Sequence, residues 1–285
     1  MLKSWMFIPG SNDKHLMKAK ALNANVIIFD LEDAVSIGEK ETARLKVSQI
    51  IEETRGSLNY VRINDRTTGY FIDDLYEIVK EDLAGIILPK VNTKEDIIII
   101  DYILTSLEKK YSIDNYKISI VPLIETAAGL HHAYEIASTS KRIQCLAFGA
   151  EDFKLDLNIS PGIHGTELLY AKSKLVEVSR AAGIEAPVDS VYTDFKNEGG
   201  LKRDAELGER LGFQGKLLIH PKQIDIVNQI YSPSQTEIEE AKAIVQMYNG
   251  TQNNGAGAVQ VNGKMVDIPV AERARKILLH ADIHE

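Results

Sequence analysis

The chain has 285 residues, of which 44% are hydrophobic and 26% charged, a composition typical of a soluble globular protein with one large domain or two small ones. Its formal net charge of −8 argues against nucleic acid or an anionic membrane surface as the main partner. Its apolar runs are well short of the ~20 residues that a membrane span needs, and its first residues do not resemble a signal peptide. A single cysteine, Cys145, excludes an internal disulfide framework and fits a reducing compartment, so we expect a cytoplasmic protein.

Eight short β-rich segments, separated by amphipathic helical stretches, occupy the first four-fifths of the chain. Several lack polar alternation, as expected of strands that are covered on both faces. The predicted strands are residues 5–8, 25–31, 59–63, 85–89, 118–124, 144–148, 188–192 and 216–219. Eight β-then-α units in series predict a (β/α)8 TIM barrel over residues 1–231, with an open doubly wound sheet as the alternative. The seventh strand is the weakest of the eight, because Pro187 stands at its start.

Helical periodicity and capping residues place helices between these strands. The clearest helical stretches are residues 14–22, 40–53, 94–109, 168–182 and 201–211. The predicted helix starts are Asn12 or Asp13, Thr93, Thr126 and Thr166, and the predicted helix ends are Gly56 and Gly183.

After Pro221 the alternation stops. A helix over residues 224–231 is followed by one from Ser232 to about Tyr248, and then by a turn-forming stretch over residues 249–257. A hairpin around Asn262-Gly263 and a last helix over residues 270–279 complete the pattern. Residues 232–285 are too few to hold a core of their own, so we expect this extension to pack on the barrel or on a neighbouring subunit.

Two apolar runs lead into carboxylates at the end of a barrel where active sites lie. The run 118–124 ends at Glu125, and the run 145–148 leads through Gly149 to Asp152. Since the two runs are consecutive strands, both side chains can converge on one ion, and carboxylates without nearby His or Cys favour Mg²⁺ or Mn²⁺ over Zn²⁺. The alternative is that the two acids merely cap the helices that follow them.

Arg62 is a charged residue inside an otherwise apolar strand, and a buried arginine needs an anionic partner. It could pair with the acids of the segment 30–33, or it could form a fork for a substrate carboxylate or a developing oxyanion. The two interpretations are compatible. Gly149 opens a tight turn whose backbone amides could bind an anionic group beside the metal. Cys145 begins a strand and is interpreted as a buried apolar residue rather than a nucleophile.

The sequence resembles the citrate lyase β-subunit family, which includes the malyl-CoA and citramalyl-CoA lyases. The matching phrases follow one another over nearly the whole chain. They are FIPG at 7–10, IFDLEDAV at 28–35, VRIN at 61–64, IET at 124–126, FGAED at 148–152, LGF at 211–213 with GK at 215–216, IHPKQI at 219–224 and NGKMVD at 262–267.

This resemblance implies a Mg²⁺-dependent lyase that cleaves a carbon–carbon bond in a 3-hydroxy-acid thioester, giving a 2-keto acid and an acetyl thioester by way of an enolate. Glu125 and Asp152 match the metal ligands, and Arg62 matches the substrate-binding arginine. Asp267 matches a catalytic acid/base that the C-terminal segment delivers as a lid, typically from a neighbouring subunit of a homotrimer. We further expect Gly149 to contact substrate and Lys18, or Lys14, to reach phosphates of the thioester, although a solvated helix face explains these lysines equally well.

Three questions stay open at the level of sequence. The substrate is linked either to CoA or to a carrier protein, because the segment 160–167 resembles true citrate lyase subunits while the segment 219–221 is closer to free-standing homologues. Subunits of a citrate lyase complex are possible partners, and whether such partner subunits are required stays open. The alternatives to a thioester lyase are a keto-acid aldolase that acts without a thioester and a non-catalytic assembly subunit.

Overall fold

The computed structural model describes residues 1–54, 58–160, 162, 165–252, 259–261 and 264–281. The chain divides into two compact units, one of which is Leu2–Val227, while the other comprises Met1 and Asn228–Glu285. The first unit is a closed barrel with helices around it. The second contains two helices and a hairpin.

The barrel has eight parallel strands, each paired with the next in the chain, and pairing of β1 with β8 closes it. An open doubly wound sheet leaves its edge strands unpaired, so this closure confirms the predicted (β/α)8 barrel. The strands are β1 Ser4–Pro9, β2 Val26–Asp30, β3 Asn59–Arg62, β4 Gly85–Leu88, β5 Ser119–Ile124, β6 Ala147–Phe148, β7 Val188–Asp189 and β8 Gly215–Leu218.

Two strands, β6 and β7, are each three residues shorter than predicted. β6 begins only at Ala147, because Pro122 on β5 has no N–H to donate and the ladder between the strands is interrupted there. Earlier pairing of these segments is limited to one isolated bridge, between Ile120 and Ile143. β7 ends at Asp189, and the carbonyl of Tyr192 beyond it accepts from a glutamine side chain at 2.9 Å instead of from a strand.

Ten helices accompany the strands within the described residues. They are α1 Asp13–Ala19, α2 Lys40–Glu53, α3 Phe71–Ile78, α4 Lys94–Tyr111, α5 Ala127–His131, α6 Ala133–Ser138, α7 Ala150–Asp156, α8 Leu169–Ala182, α9 Glu198–Leu211 and α10 Gln223–Ile230. In the part of the chain that the structure describes, we find no helix with the length and apolar character needed to cross a bilayer.

Most of the predicted caps form. Asn12 accepts from the N–H of His15, Thr93 forms a capping box, and Gly183 ends α8 in the left-handed conformation. Thr166 does not cap a helix. It begins a short 3₁₀ turn over Thr166–Leu168, with Gly165 before it in the left-handed region that glycine adopts without strain. The predicted helix end at Gly56 lies outside the described residues.

The inner face of the barrel is apolar through most of its depth. Its buried residues are Trp5, Val26, Ile28, Tyr60, Ile87, Val121, Leu123, Cys145, Ala147, Val188 and Leu217. Because side chains alternate along a strand, the next inward positions toward the carboxyl ends are Asp30, Arg62, Glu125 and Gly149. A polar layer therefore caps the apolar core at the mouth of the barrel.

The C-terminal unit consists of α11 Gln235–Gln252, β9 Val259–Val261, β10 Lys264–Val266 and α12 Ile268–His280. The helices pack through an apolar cluster of Ala241, Val245, Ala274 and Leu278, and a second cluster joins Tyr248, Val266 and Ala271. The unit thus buries a small core, which corrects the expectation that this segment holds none. The predicted turn at Asn262-Gly263 lies outside the described residues.

Candidate active site

Arg62, at the end of β3, is held by three acids, one at the end of the neighbouring strand β2 and two just after it. Its Nε and Nη2 donate to Oδ1 and Oδ2 of Asp30 at 2.7 and 2.6 Å. Its Nη1 lies 3.1 Å from Glu32 and 3.2 Å from Asp33, while the guanidinium stacks over Phe7 with its carbon 4.9 Å from the ring centre. Arg62 therefore pairs with the acids of the segment 30–33, which was one of its two interpretations from sequence. The bidentate contact with Asp30 fixes the plane of the guanidinium.

Asp30 is in turn oriented by backbone amides of the residues that follow it. Its carboxylate accepts from the N–H groups of Glu32 at 2.9 Å and Ala34 at 3.1 Å. Burial works to raise the pKa of Asp30, yet the charge and hydrogen bonds of Arg62 and these two amides hold it below its usual range. The same acids raise the pKa of Arg62, against the effect of its burial. The pair therefore stays ionised at any ordinary pH.

Glu125 follows β5 and is 2% exposed. Its Oε1 accepts from the backbone N–H of Lys90 at 2.6 Å, and within the described residues no cationic side chain forms an ion pair with it. Burial raises the pKa of Glu125 to about 8, and the negative charges of Glu32 and Asp152 contribute to the rise. A buried carboxylate beside two others requires a cation to ionise at neutral pH.

Lys90 adopts an unusual backbone conformation directly after Pro89. Its φ of 52° lies in the left-handed region, which is uncommon for a residue with a Cβ. This conformation accompanies the contact of its N–H with Glu125, while its Nζ lies 3.0 Å from Oε1 of Glu32. Lys90 thus connects two of the acids at the mouth of the barrel.

Asp152 and Gly149 flank the start of α7. Asp152 is half-buried in the first turn of the helix, near enough to Glu125 to raise the pKa of that carboxyl group. Gly149 donates from its N–H to the carbonyl of Ile124 at 3.0 Å. A Cβ at position 149 would lie 2.6 Å from both Cβ and Oε2 of Glu125. Glycine is therefore required for the close approach of this turn to the carboxylate.

The donor set and its charge fit a hard divalent cation. Among the described residues, five carboxyl groups face three cationic side chains, which leaves an excess of two negative charges when all five are ionised. The carboxylates are Asp30, Glu32, Asp33, Glu125 and Asp152, and the cations are Lys40, Arg62 and Lys90. Among the described residues no three His, Cys, Asp or Glu side chains form a closed cage. Mg²⁺ does not require one, since it is usually held by one or two carboxylates with water and substrate completing the shell.

The structure brings four of the predicted site residues together. Arg62, Glu125, Gly149 and Asp152 meet at the mouth of the barrel. Lys18 is exposed on α1 and takes no part in these contacts. Asp267 belongs to the C-terminal unit, where it is the N-cap of α12 and accepts from the N–H of Val270 at 3.3 Å.

Glu32 and Lys90 are components of the site for which the sequence predicted no catalytic or binding role, although Glu32 is one of the acids of the segment 30–33 with which Arg62 was expected to pair. Both stand next to the carboxyl end of a predicted strand, which was the available signal. Position at a strand end does not reveal which side chains face one another, however, and the left-handed backbone of Lys90 has no signature in the sequence.

At the mouth of a closed (β/α)8 barrel, where the active sites of such barrels lie, a buried carboxylate without an ionic partner among the described residues beside a fixed arginine is suited to a hard cation and an oxygen-rich anion. Residues 3–221 match the family model described as HpcH/HpaI aldolase/citrate lyase. The chain is 35% identical to citrate lyase subunit beta of Haemophilus influenzae, over 98% of this chain and 96% of that protein. It is 31% identical to L-malyl-CoA/beta-methylmalyl-CoA lyase of Cereibacter sphaeroides, over 98% and 94%.

A solved structure agrees with these relatives. It is that of the Mycobacterium tuberculosis protein CitE in complex with magnesium, acetoacetate and coenzyme A, with a TM-score of 0.81, 27% identity and coverage of 98% of each chain. The chain belongs to the HpcH/HpaI aldolase/citrate lyase family. The predicted family and the predicted class, a carbon–carbon lyase, are thereby confirmed, and the predicted magnesium is the metal present in this structural relative.

Proposed function

We propose that the protein is a Mg²⁺-dependent lyase, with Mn²⁺ as an alternative metal, that cleaves a citryl-, citramalyl- or malyl-type thioester to a 2-keto acid and an acetyl thioester. The observation that carries the proposal is Glu125. Its carboxylate is buried, has a pKa of about 8 and forms no ion pair with any described cationic side chain, while Arg62 stands in a fixed orientation nearby. The magnesium and coenzyme A of the CitE complex support this assignment.

Glu125 and Asp152 hold the metal in this proposal. When bound, the ion supplies a Lewis acid for the carboxylate and adjacent oxygen of the keto-acid portion. Gly149 leaves the space that the Glu125 carboxylate occupies and lies against the substrate. Arg62, held by Asp30, binds substrate and stabilises the negative charge on the oxygen that changes from hydroxyl to ketone.

Bond cleavage leaves the electron pair on the departing acetyl thioester as an enolate. Asp267 donates the proton that converts this enolate to the acetyl methyl group, and in the reverse direction it removes that proton. The substrate hydroxyl loses one proton to solvent and the product methyl gains one from Asp267, which solvent reprotonates, so the reaction is balanced in protons and needs no redox partner. In this proposal residues 232–285 act as lid and oligomerisation arm, and a neighbouring subunit of a homotrimer or higher oligomer delivers Asp267.

Further parts of the proposal concern partners and location. Lys18 contacts the phosphates of the thioester, and the acyl group is carried by CoA or by a carrier protein. The similarity to citrate lyase subunit beta supports the presence of the chain in a citrate lyase complex. A cytoplasmic location stays a prediction.

The proposal is tested by incubation with citryl-, citramalyl- and malyl-CoA in the presence of Mg²⁺, with the released keto acid as readout and a chelator as the control. Pyruvate with an aldehyde, in place of the thioesters, tests the aldolase alternative. We expect Glu125→Ala and Asp152→Ala to abolish turnover while circular dichroism shows a folded protein. Full activity of either variant would end the proposal.

The role of Asp267 has a separate test. Asp267→Asn should lose the exchange of acetyl-CoA methyl protons with deuterium from solvent, yet keep Mg²⁺-dependent keto-acid binding. Exchange at the wild-type rate in this variant would contradict the assignment.

A further inference from the structure

Lys90 and Glu32 connect the proposed metal ligand to the proposed substrate-binding arginine. The N–H of Lys90 donates to Oε1 of Glu125 at 2.6 Å, and its Nζ lies 3.0 Å from Oε1 of Glu32. The other oxygen of Glu32, Oε2, lies 3.1 Å from Nη1 of Arg62. The four residues come from the carboxyl ends of the neighbouring strands β2 to β5, and together they form a continuous series of contacts. We call the middle pair the Lys90–Glu32 bridge.

The bridge is anchored at its Glu32 end, while the Lys90 side chain is 39% exposed. The Glu32 side chain is 7% exposed and uses both oxygens in the two contacts. The backbone of Glu32 is held by Lys40, whose Nζ donates to the carbonyls of Leu31 and Glu32 at 2.7 and 2.6 Å. Lys90 has a left-handed backbone conformation. In this conformation its backbone amide contacts Glu125, while its ammonium group contacts Glu32.

We propose that Lys90 and Glu32 are positioning residues, which set the spacing and orientation of the Arg62 guanidinium relative to the Glu125 carboxylate. A keto acid that is bound by the metal at Glu125 and by Arg62 must meet both groups at once, so its affinity depends on this spacing. The inference rests on the proposed function, because it takes Glu125 as metal ligand and Arg62 as substrate-binding group.

Simple charge effects and positioning predict different outcomes for one variant. Lys90→Met removes a cation and Glu32→Gln removes an anion. If the two residues acted only through their charges, the first change would weaken binding of an anionic keto acid and the second would strengthen it. If they act by positioning, both changes weaken binding. Glu32→Gln therefore separates the two explanations.

The experiment is a calorimetric titration of a keto acid into the full-length protein at saturating Mg²⁺, for the wild type, Lys90→Met, Glu32→Gln and the double variant. The keto acid is pyruvate, or oxaloacetate or glyoxylate if the wild type binds one of these instead. We expect about tenfold weaker keto-acid binding in each single variant. The double variant should bind no more weakly than the worse single one, since both changes break the same bridge. Lys90→Arg, which keeps a cation within reach of Glu32, should stay within about twofold of the wild type.

Lys94→Met is the matched control, because Lys94 is a half-exposed lysine in the first turn of the next helix and should leave keto-acid binding unchanged. Wild-type or tighter binding by Glu32→Gln would overturn the inference, and so would losses that add in the double variant. If the wild type shows lyase turnover but the losses of binding in the two single variants add in the double variant, the positioning inference fails and the proposed lyase function stands. Intact, coupled keto-acid binding without turnover of any thioester would remove the proposed lyase function alone. A wild type that binds none of pyruvate, oxaloacetate and glyoxylate with Mg²⁺ would remove both.

Discussion

The substitution Gly149→Ala tests the geometry of the site with a single methyl group. The φ of Gly149 is −99°, which any residue adopts, so the effect of the change is steric and not conformational. The new Cβ would lie 2.6 Å from both Cβ and Oε2 of Glu125, closer than real contacts allow. The carboxylate cannot move away without lengthening its 2.6 Å hydrogen bond from Lys90.

Two magnitudes follow from this crowding. Forcing one methyl group into a packed interior costs about 1–3 kcal/mol, so we expect a loss of this size in the free energy of unfolding. A displaced ligand carboxylate should weaken the binding of Mg²⁺ by about 10–100-fold. Urea unfolding measures the first quantity, and calorimetric titration with MgCl₂ measures the second.

Gly38→Ala provides the control, because a Cβ at Gly38 would meet nothing within 4 Å. The two variants add the same atom and differ only in what surrounds it. If Gly149→Ala matched Gly38→Ala in both unfolding free energy and Mg²⁺ affinity, the proposed packing of this turn against Glu125 would be wrong.

Four further predictions concern titration and stability. Without metal, the pKa of Glu125 is raised to about 8, so Mg²⁺ binding at pH 7 should release a proton, and Mg²⁺ affinity should increase as the pH rises toward 8. Calorimetric titration in buffers of different ionisation enthalpy measures the proton release. An Mg²⁺ affinity that does not change with pH would contradict this prediction. Between about pH 4.5 and 8, the metal-free folded protein keeps a proton on Glu125 that the unfolded chain has lost. The contribution of Glu125 to the free energy of unfolding should therefore fall as the pH rises through this range. Urea unfolding in the presence of a chelator measures this fall. Burial raises the pKa of Cys145 to about 12, so a thiol reagent at pH 8 should label it only after unfolding, and rapid labelling of the folded protein would refute its interior position. Arg142→Ala should lower the unfolding free energy by about 3–5 kcal/mol, because the fully buried Glu108 would lose both of its contacts to the guanidinium; a loss below about 1 kcal/mol would contradict this account.

The barrel could be predicted from the sequence because its strands are buried on both faces. Such strands appear as uninterrupted apolar runs, and eight of them in alternation with helices leave few architectures open. The exact ends of the strands depend on pairing with neighbours. Residues 144–146 resemble a strand, yet most of this segment stays outside the ladder because its partner strand contains Pro122.

The site was predictable where a charge interrupts an apolar pattern. Arg62 and Glu125 stand out against their strands, and both lie in the polar layer at the mouth of the barrel. The contact between Glu32 and Lys90 was not predictable in the same way, since it joins residues of different strands and accompanies a left-handed backbone at Lys90. These features are set by the three-dimensional arrangement and not by any local pattern.

The C-terminal segment shows a different limit. Its composition predicts helices and a hairpin, and these form, but the apolar contacts between α11 and α12 come from positions whose pairing the sequence pattern leaves undetermined. The role of Asp267 rests on the resemblance of residues 262–267 to the family. As the N-cap of α12 it also has a structural task, which the sequence analysis did not assign.

The most direct test of the proposed metal site is anomalous diffraction from crystals soaked in Mn²⁺, which takes the same oxygen ligands as Mg²⁺. We predict one strong peak at the mouth of the barrel, about 2.0–2.3 Å from a carboxylate oxygen of both Glu125 and Asp152. A peak bound by other side chains, or no peak between these two carboxylates at saturating Mn²⁺, would contradict the account.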